Sequence, residues 1–151
     1  MWLEGRDGLD RLLAASDFVV LACPLTESTR GLIGEAQLRR MSSSAVLINI
    51  ARGGVVDEAA LYRALADRVI DGAALDVWWR WPEIGQGQRE CAPYDLALHP
   101  FHGLPNVIMS SHTSGWSDEQ LNRRHEIIAG NLDRIALGES LNSVVIPGKC
   151  L

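Results

Sequence analysis

Four short apolar runs dominate what this chain can fold into: FVVLA (Phe18 to Ala22), AVLINI (Ala45 to Ile50), GAALDV (Gly72 to Val77) and VIMS (Val107 to Ser110). A run that is apolar at nearly every position predicts a strand buried on both faces, since a half-exposed strand alternates instead. Segments with helical spacing separate the runs. Leu9, Leu12 and Leu13 mark a short helix behind Asp7, and Glu35 to Met41 predicts a second one that ends at Ser42, Ser43 and Ser44. Asp57 is placed to cap a third helix carrying Ala60, Leu61, Leu65 and Ala66. Ser117 with Gln120 forms a capping-box pattern ahead of Leu121, Ile127, Ile128, Leu132 and Ile135, and Gly138 is placed to end that last helix. Strands alternating with helices predict an α/β fold: a doubly wound parallel sheet of about four strands with flanking helices covering both faces.

Composition narrows the function classes. At 151 residues the chain is one domain's worth and can bury a sizeable core. Its 14 basic and 19 acidic residues give a formal net charge of -5, which argues against nucleic acid as a partner. No apolar run approaches the ~20 residues that span a bilayer. Met1 is followed closely by Glu4, Arg6 and Asp7, which is not the pattern of a secretory leader. Cys23, Cys91 and Cys150 are odd in number and lack the spacing of a disulfide framework or a metal site, so the expectation is reduced thiols, a cytoplasmic protein and no metal.

The second run ends in LINIARGG (Leu47 to Gly54), which presents one arginine among small residues at the carboxyl end of a strand. Ligands bind outside that end of an open parallel sheet, and a guanidinium grips a carboxylate through two parallel hydrogen bonds. Arg52 is therefore a candidate substrate anchor; a surface arginine after a strand is the plainer alternative. Trp78 to Pro105 is a long irregular stretch holding Pro82, Pro93, Pro100 and Pro105, and loops of that length in compact domains are usually functional. Trp78, Trp79 and Trp81 are expected in packing or pocket walls. His99, His102 and His125 lack the grouping of a metal site.

Four segments, in order, carry a resemblance. CPLTESTRGLIG (Cys23 to Gly34), LINIARGGVVDEAAL (Leu47 to Leu61), GAALDVW (Gly72 to Trp78) and NVIMSSHTSG (Asn106 to Gly115) resemble the NAD-domain motifs of the D-isomer-specific 2-hydroxyacid dehydrogenases. The resemblance implies a Rossmann-like sheet, NAD as cofactor with NADP not excluded, and a small 2-hydroxy or 2-keto acid as substrate. It implies that Arg52 holds the substrate carboxylate and carbonyl, and that His112 passes a proton to or from the substrate oxygen, a task suited to a side chain that titrates near neutrality. It places Cys23, Pro24 and Thr29 by the adenosine and ribose, Asn49, Ala51 and Arg52 on a cofactor-facing turn, Asp76 at the nicotinamide carboxamide, and Ser114 and Gly115 beside His112 at the cofactor.

The sequence departs from the family pattern twice. The family's third catalytic group is usually a glutamate five residues after the aspartate matching Asp76 and just before a proline; here Trp81 stands there, followed by Pro82. Glu83 lies two positions further on and is a candidate substitute. The related formate dehydrogenases carry an amide at this place, so its loss is compatible with hydride chemistry, and a formate-dehydrogenase-like substrate stays open. Second, no GxGxxG turn occurs to cradle a pyrophosphate; Gly85 and Gly87 lie in the long loop and do not follow a strand.

In the family the GxGxxG turn lies upstream of the region matched here. The expectation is thus that residues 1–151 form the C-terminal portion of an NAD-binding domain truncated at its N-terminus. Residues 117–151 form the long helix and tail that in the family lead back to the substrate domain. In the strand order 3-2-1-4-5-6 the strand at Phe18 to Ala22 would lack its first-strand neighbour, which predicts association through that edge, as a homodimer or with a separately encoded N-terminal half. Three readings follow: a truncated dehydrogenase inactive alone, one half of a split enzyme, and a binding or regulatory module on a dehydrogenase scaffold.

Overall fold

Four parallel strands, β1 (Phe18–Leu21), β2 (Val46–Asn49), β3 (Gly72–Leu75) and β4 (Val107–Met109), lie side by side in chain order β1-β2-β3-β4. The computed structural model describes residues 8–81 and 97–143. The features expected at Asp7, Pro82, Glu83, Gly85, Gly87, Cys91, Pro93 and Cys150 lie outside the described residues. The chain divides into two units, Met1–Thr113 and Ser114–Leu151. The sheet belongs to the first, with helices α1 (Leu9–Ala15), α2 (Glu35–Leu38) and α3 (Glu58–Ala66). The second holds α4 (Asp118–Leu137).

The strand register sorts side chains into rows. Val19, Leu47, Ala73 and Val107 are partners across the sheet, as are Leu21, Asn49, Leu75 and Met109. Both rows face the helices, and their residues from β1 to β3 are buried with Leu13 of α1, Leu38 of α2, and Leu61 and Leu65 of α3 in one core. The opposite face is different. Phe18 is 67% exposed, and in the row between the two, Val20 is 54% and Ile108 74% exposed. The reading of β1 as fully buried is therefore corrected: β1 alternates exposed and buried. An apolar run reports affinity for cover, and α1, α2 and α3 supply that cover on one face.

The helix ends follow their local chemistry. The Asp57 side chain accepts from the Ala60 N–H at 2.7 Å, capping α3 as its position predicts. Arg68 then enters the left-handed region at φ 55°, and the Val69 N–H reaches back to the Ala64 carbonyl, closing α3 with a wrap that usually employs glycine. The helix expected over Glu35 to Met41 is shorter, because Arg40 and Met41 donate to Gln37 and Leu38, bonds of the tighter three-residue kind. Leu38 and Met41 are both buried, and that tight turn brings both to the core. In the second unit Ser117 caps α4 by accepting from the Gln120 N–H, and Gly138 ends it at φ 70°. None of the residues of α4 is buried.

Candidate functional site

The carboxyl ends of β1 and β2 open into a cleft of about 550 Å³ lined by Ala22, Cys23, Pro24, Leu25, Ile50, Ala51 and Arg52. Behind this lining lies Asn49, the last residue of β2, which is fully buried. The Asn49 Oδ1 accepts from the Ala51 N–H at 3.0 Å while its Nδ2 donates to the Arg52 carbonyl at 3.2 Å. One amide thus clamps both sides of the turn that carries the arginine. The Arg52 Nη1 donates to the Ala51 carbonyl at 2.6 Å, and Arg52 itself is exposed to the cleft.

Directly after Arg52 the chain makes a short 3₁₀ turn, Gly53–Val55. A Cβ on Gly53 would lie 2.4 Å from the carbonyl carbon and oxygen of Trp78 and 2.6 Å from the Trp79 nitrogen. Glycine here lets the backbone after β2 touch the backbone after β3. The opposite wall is steadied by Thr29, whose hydroxyl donates to the Pro24 carbonyl at 2.7 Å and accepts from the Thr26 N–H at 2.7 Å. Thr29 therefore acts from behind Pro24, whereas Cys23 and Pro24 line the cleft.

At the ends of β3 and β4, Asp76 is only 4% exposed. Its Oδ1 accepts from the Ser110 hydroxyl at 2.6 Å and from the Thr113 N–H at 2.8 Å. The Trp78 indole N–H donates to the Ser110 carbonyl at 2.8 Å. The segment from Ser110 to Thr113 is so tied at both ends, and at its tip His112 takes φ 62°, a backbone conformation rare for residues with a Cβ. The ring of Trp81 packs on the His112 imidazole, with centroids 5.2 Å apart. The side chain beside His112 is thus an indole, that of the residue just before Pro82.

Sequence reasoning missed Ser110, Thr113 and Gly53. The first had a signal: pairing of Leu75 with Met109 makes Asp76 and Ser110 the next pair along the strands. Ser114 and Gly115 fall in the second unit, in the exposed turn before α4. Trp78 is buried and Trp79 stacks on Phe101, so these tryptophans pack as expected, and His99 stacks on Tyr62 at 5.0 Å. Among the described residues no group of three or more His, Cys, Asp or Glu is placed to hold a metal.

Comparison with known proteins identifies the family and the fold. Residues 3–114 match the family model described as D-isomer specific 2-hydroxyacid dehydrogenase, NAD binding domain. The chain belongs to this family. A glyoxylate reductase of Korarchaeum cryptofilum is 44% identical over 131 residues, covering 87% of this chain and 36% of the relative. A glycerate dehydrogenase of Methylorubrum extorquens is 37% identical, covering 93% of this chain and 42% of the relative. A D-isomer specific 2-hydroxyacid dehydrogenase of Lactobacillus delbrueckii ssp. bulgaricus, solved in its NAD-complexed form, superposes with a TM-score of 0.76 at 33% identity, covering 90% of this chain and 42% of that one. A family member from Xanthobacter autotrophicus Py2, solved with NADPH and MES, gives 0.73 at 34% identity, covering 95% of this chain and 53% of that one. The fold is accordingly the Rossmann-like one, and the chain spans well under two thirds of the length of these dehydrogenases.

Proposed function

We propose that this chain supplies the carboxylate anchor, the proton-transfer group and part of the cofactor wall of an NAD(P)-dependent dehydrogenase acting on a small 2-hydroxy or 2-keto acid. The observation that carries the reading is Arg52, held by Asn49 at the mouth of a cleft that also contains Cys23, Pro24 and Ala51. The donor set fits part of a dinucleotide. Pro24, Leu25 and Ile50 offer apolar walls to a planar ring, and Asp76 offers a carboxylate at the next strand end; the pyrophosphate cradle has no counterpart in this sequence. A nicotinamide cofactor, when bound, supplies or takes the hydride. Arg52 binds the substrate carboxylate and orients the carbonyl beside it. His112 holds the proton that moves to or from the substrate oxygen, and Asp76, through Ser110 and Thr113, holds the segment that presents His112.

β1 is an end strand of the sheet, and its Phe18 and Val20 side chains are uncovered on one face; both features support a partner for this chain, either a separately encoded N-terminal half or a second copy. Residues 117–151 serve in the same reading as the connection toward a substrate domain. A cytoplasmic location belongs to it too, supported by the free thiol of Cys23; among the described residues no helix is long and apolar enough to cross a membrane.

Titration of the full chain with NADH and then glyoxylate, followed by amide and arginine Nε resonances, tests the proposal. Expected are NADH-dependent shifts at Cys23 and Ala51 and a glyoxylate-dependent shift at the Arg52 Nε, the latter lost in Arg52→Ala. No perturbation at millimolar ligand, or perturbations confined to residues away from the cleft, would refute it.

A further inference from the structure

The Trp81 ring lies against His112, at the sequence position where the resemblance implies a carboxylate, and this contact has a mechanical context. The His112 backbone is fixed from both sides, since Ser110 and Thr113 both bind the Asp76 carboxylate and the Trp78 indole holds the Ser110 carbonyl. The tip between these anchors is in the left-handed region, a conformation that persists where surrounding contacts over-determine it. What the anchors leave undetermined is the rotation of the imidazole about its own side-chain bonds. Trp81 supplies that restraint: its ring centroid is 5.2 Å from that of His112 with the planes inclined at 44°, an ordinary aromatic contact distance. A carboxylate hydrogen-bonded to a histidine restrains the ring through one nitrogen and adds charge. A ring contact restrains it through a face, adds no charge, and leaves both ring nitrogens unclaimed by the contact.

We propose that Trp81 is the positioning residue of the proton-transfer group, orienting the His112 imidazole by ring contact in place of a carboxylate hydrogen bond. The proposal rests on the reading of His112 as that group. Its test separates the two. In the full chain with labelled histidine, the His112 ring resonances, assigned through His112→Gln, carry the ring-current displacement of the indole. Trp81→Leu abolishes that displacement and the cross-peaks between the two rings while those of His99, His102 and His125 stay in place, and Trp81→Phe restores most of it. Trp81 is partly exposed, so both variants are expected to keep the wild-type urea midpoint.

In the protein assembled with an N-terminal half, glyoxylate reduction by Trp81→Leu is expected to fall about tenfold to a hundredfold in kcat with KM little changed, the scale of a misplaced reacting group, and to recover in Trp81→Phe. A His112 resonance that ignores Trp81→Leu, or a kcat loss that Phe does not recover, overturns the positioning role. A wild-type assembly that shows the ring contact but binds neither NADH nor glyoxylate refutes the proposed function instead, and with it the proton-transfer role that Trp81 is said to position.

Discussion

Asn49→Ala removes one side-chain amide and, with it, both restraints on the turn that carries Arg52. The Ala51 N–H, in a residue 5% exposed, loses its acceptor at Asn49, and the Arg52 carbonyl loses the Asn49 donor. A buried donor left without a partner costs about 1–3 kcal/mol, whereas a carbonyl that water can reach loses about 0.5–1 kcal/mol. The combined expectation is about 2–4 kcal/mol. With a urea slope of about 2 kcal/mol/M for a domain this size, the midpoint should fall by about 1–2 M with the slope unchanged. Hydrogen exchange localises the effect, because the Ala51 amide should lose protection ahead of the β2 amides of Val46 to Asn49. A midpoint within about 0.3 M of wild type, with Ala51 still protected, would mean that packing alone holds the turn and that the clamp is incidental.

Gly53→Ala sets a Cβ against the Trp78 and Trp79 backbone, which has no flexible end to give way, so thermal unfolding should register a loss of about 1–3 kcal/mol; Gly103→Ala, facing open space, should register little, and equal effects would dismiss the close-approach argument. Val20→Lys places a charge on the exposed edge strand and should weaken self-association by at least about tenfold in sedimentation velocity; an unchanged, concentration-dependent profile would exclude the β1 edge as the contact.

The sequence is legible where one residue decides a local conformation. Asp57, Ser117 and Gly138 end their helices where their side chains, or the lack of one, permit. It is less legible where two geometries serve one pattern: Leu38 and Met41 are three apart, and a helix or a tighter turn puts both on the same side. Arg68 in a left-handed turn carries no local mark at all, since Ala64 and Val69 close around it whatever the side chain. In the site, Arg52 announces itself by following a strand. The approach of Trp81 to His112 joins residues more than thirty positions apart, and no spacing rule reaches that far. The cover of β1 is unreadable for a different reason. Phe18 and Val20 state that they are apolar, and nothing in them names what lies above.

Strand neighbours in this sheet are also chain neighbours, and the described crossover helices α2 and α3 land on the same side. A ribosome releasing such a chain would let β2 dock on β1 as soon as α2 has emerged, then β3 on β2 after α3, so that every step closes a short loop. The helix-covered side can therefore assemble in order of synthesis. The side bearing Phe18, Val20 and Ile108 gains nothing from that order, and for as long as it is bare it is the surface on which a chaperone would be expected to compete with a partner.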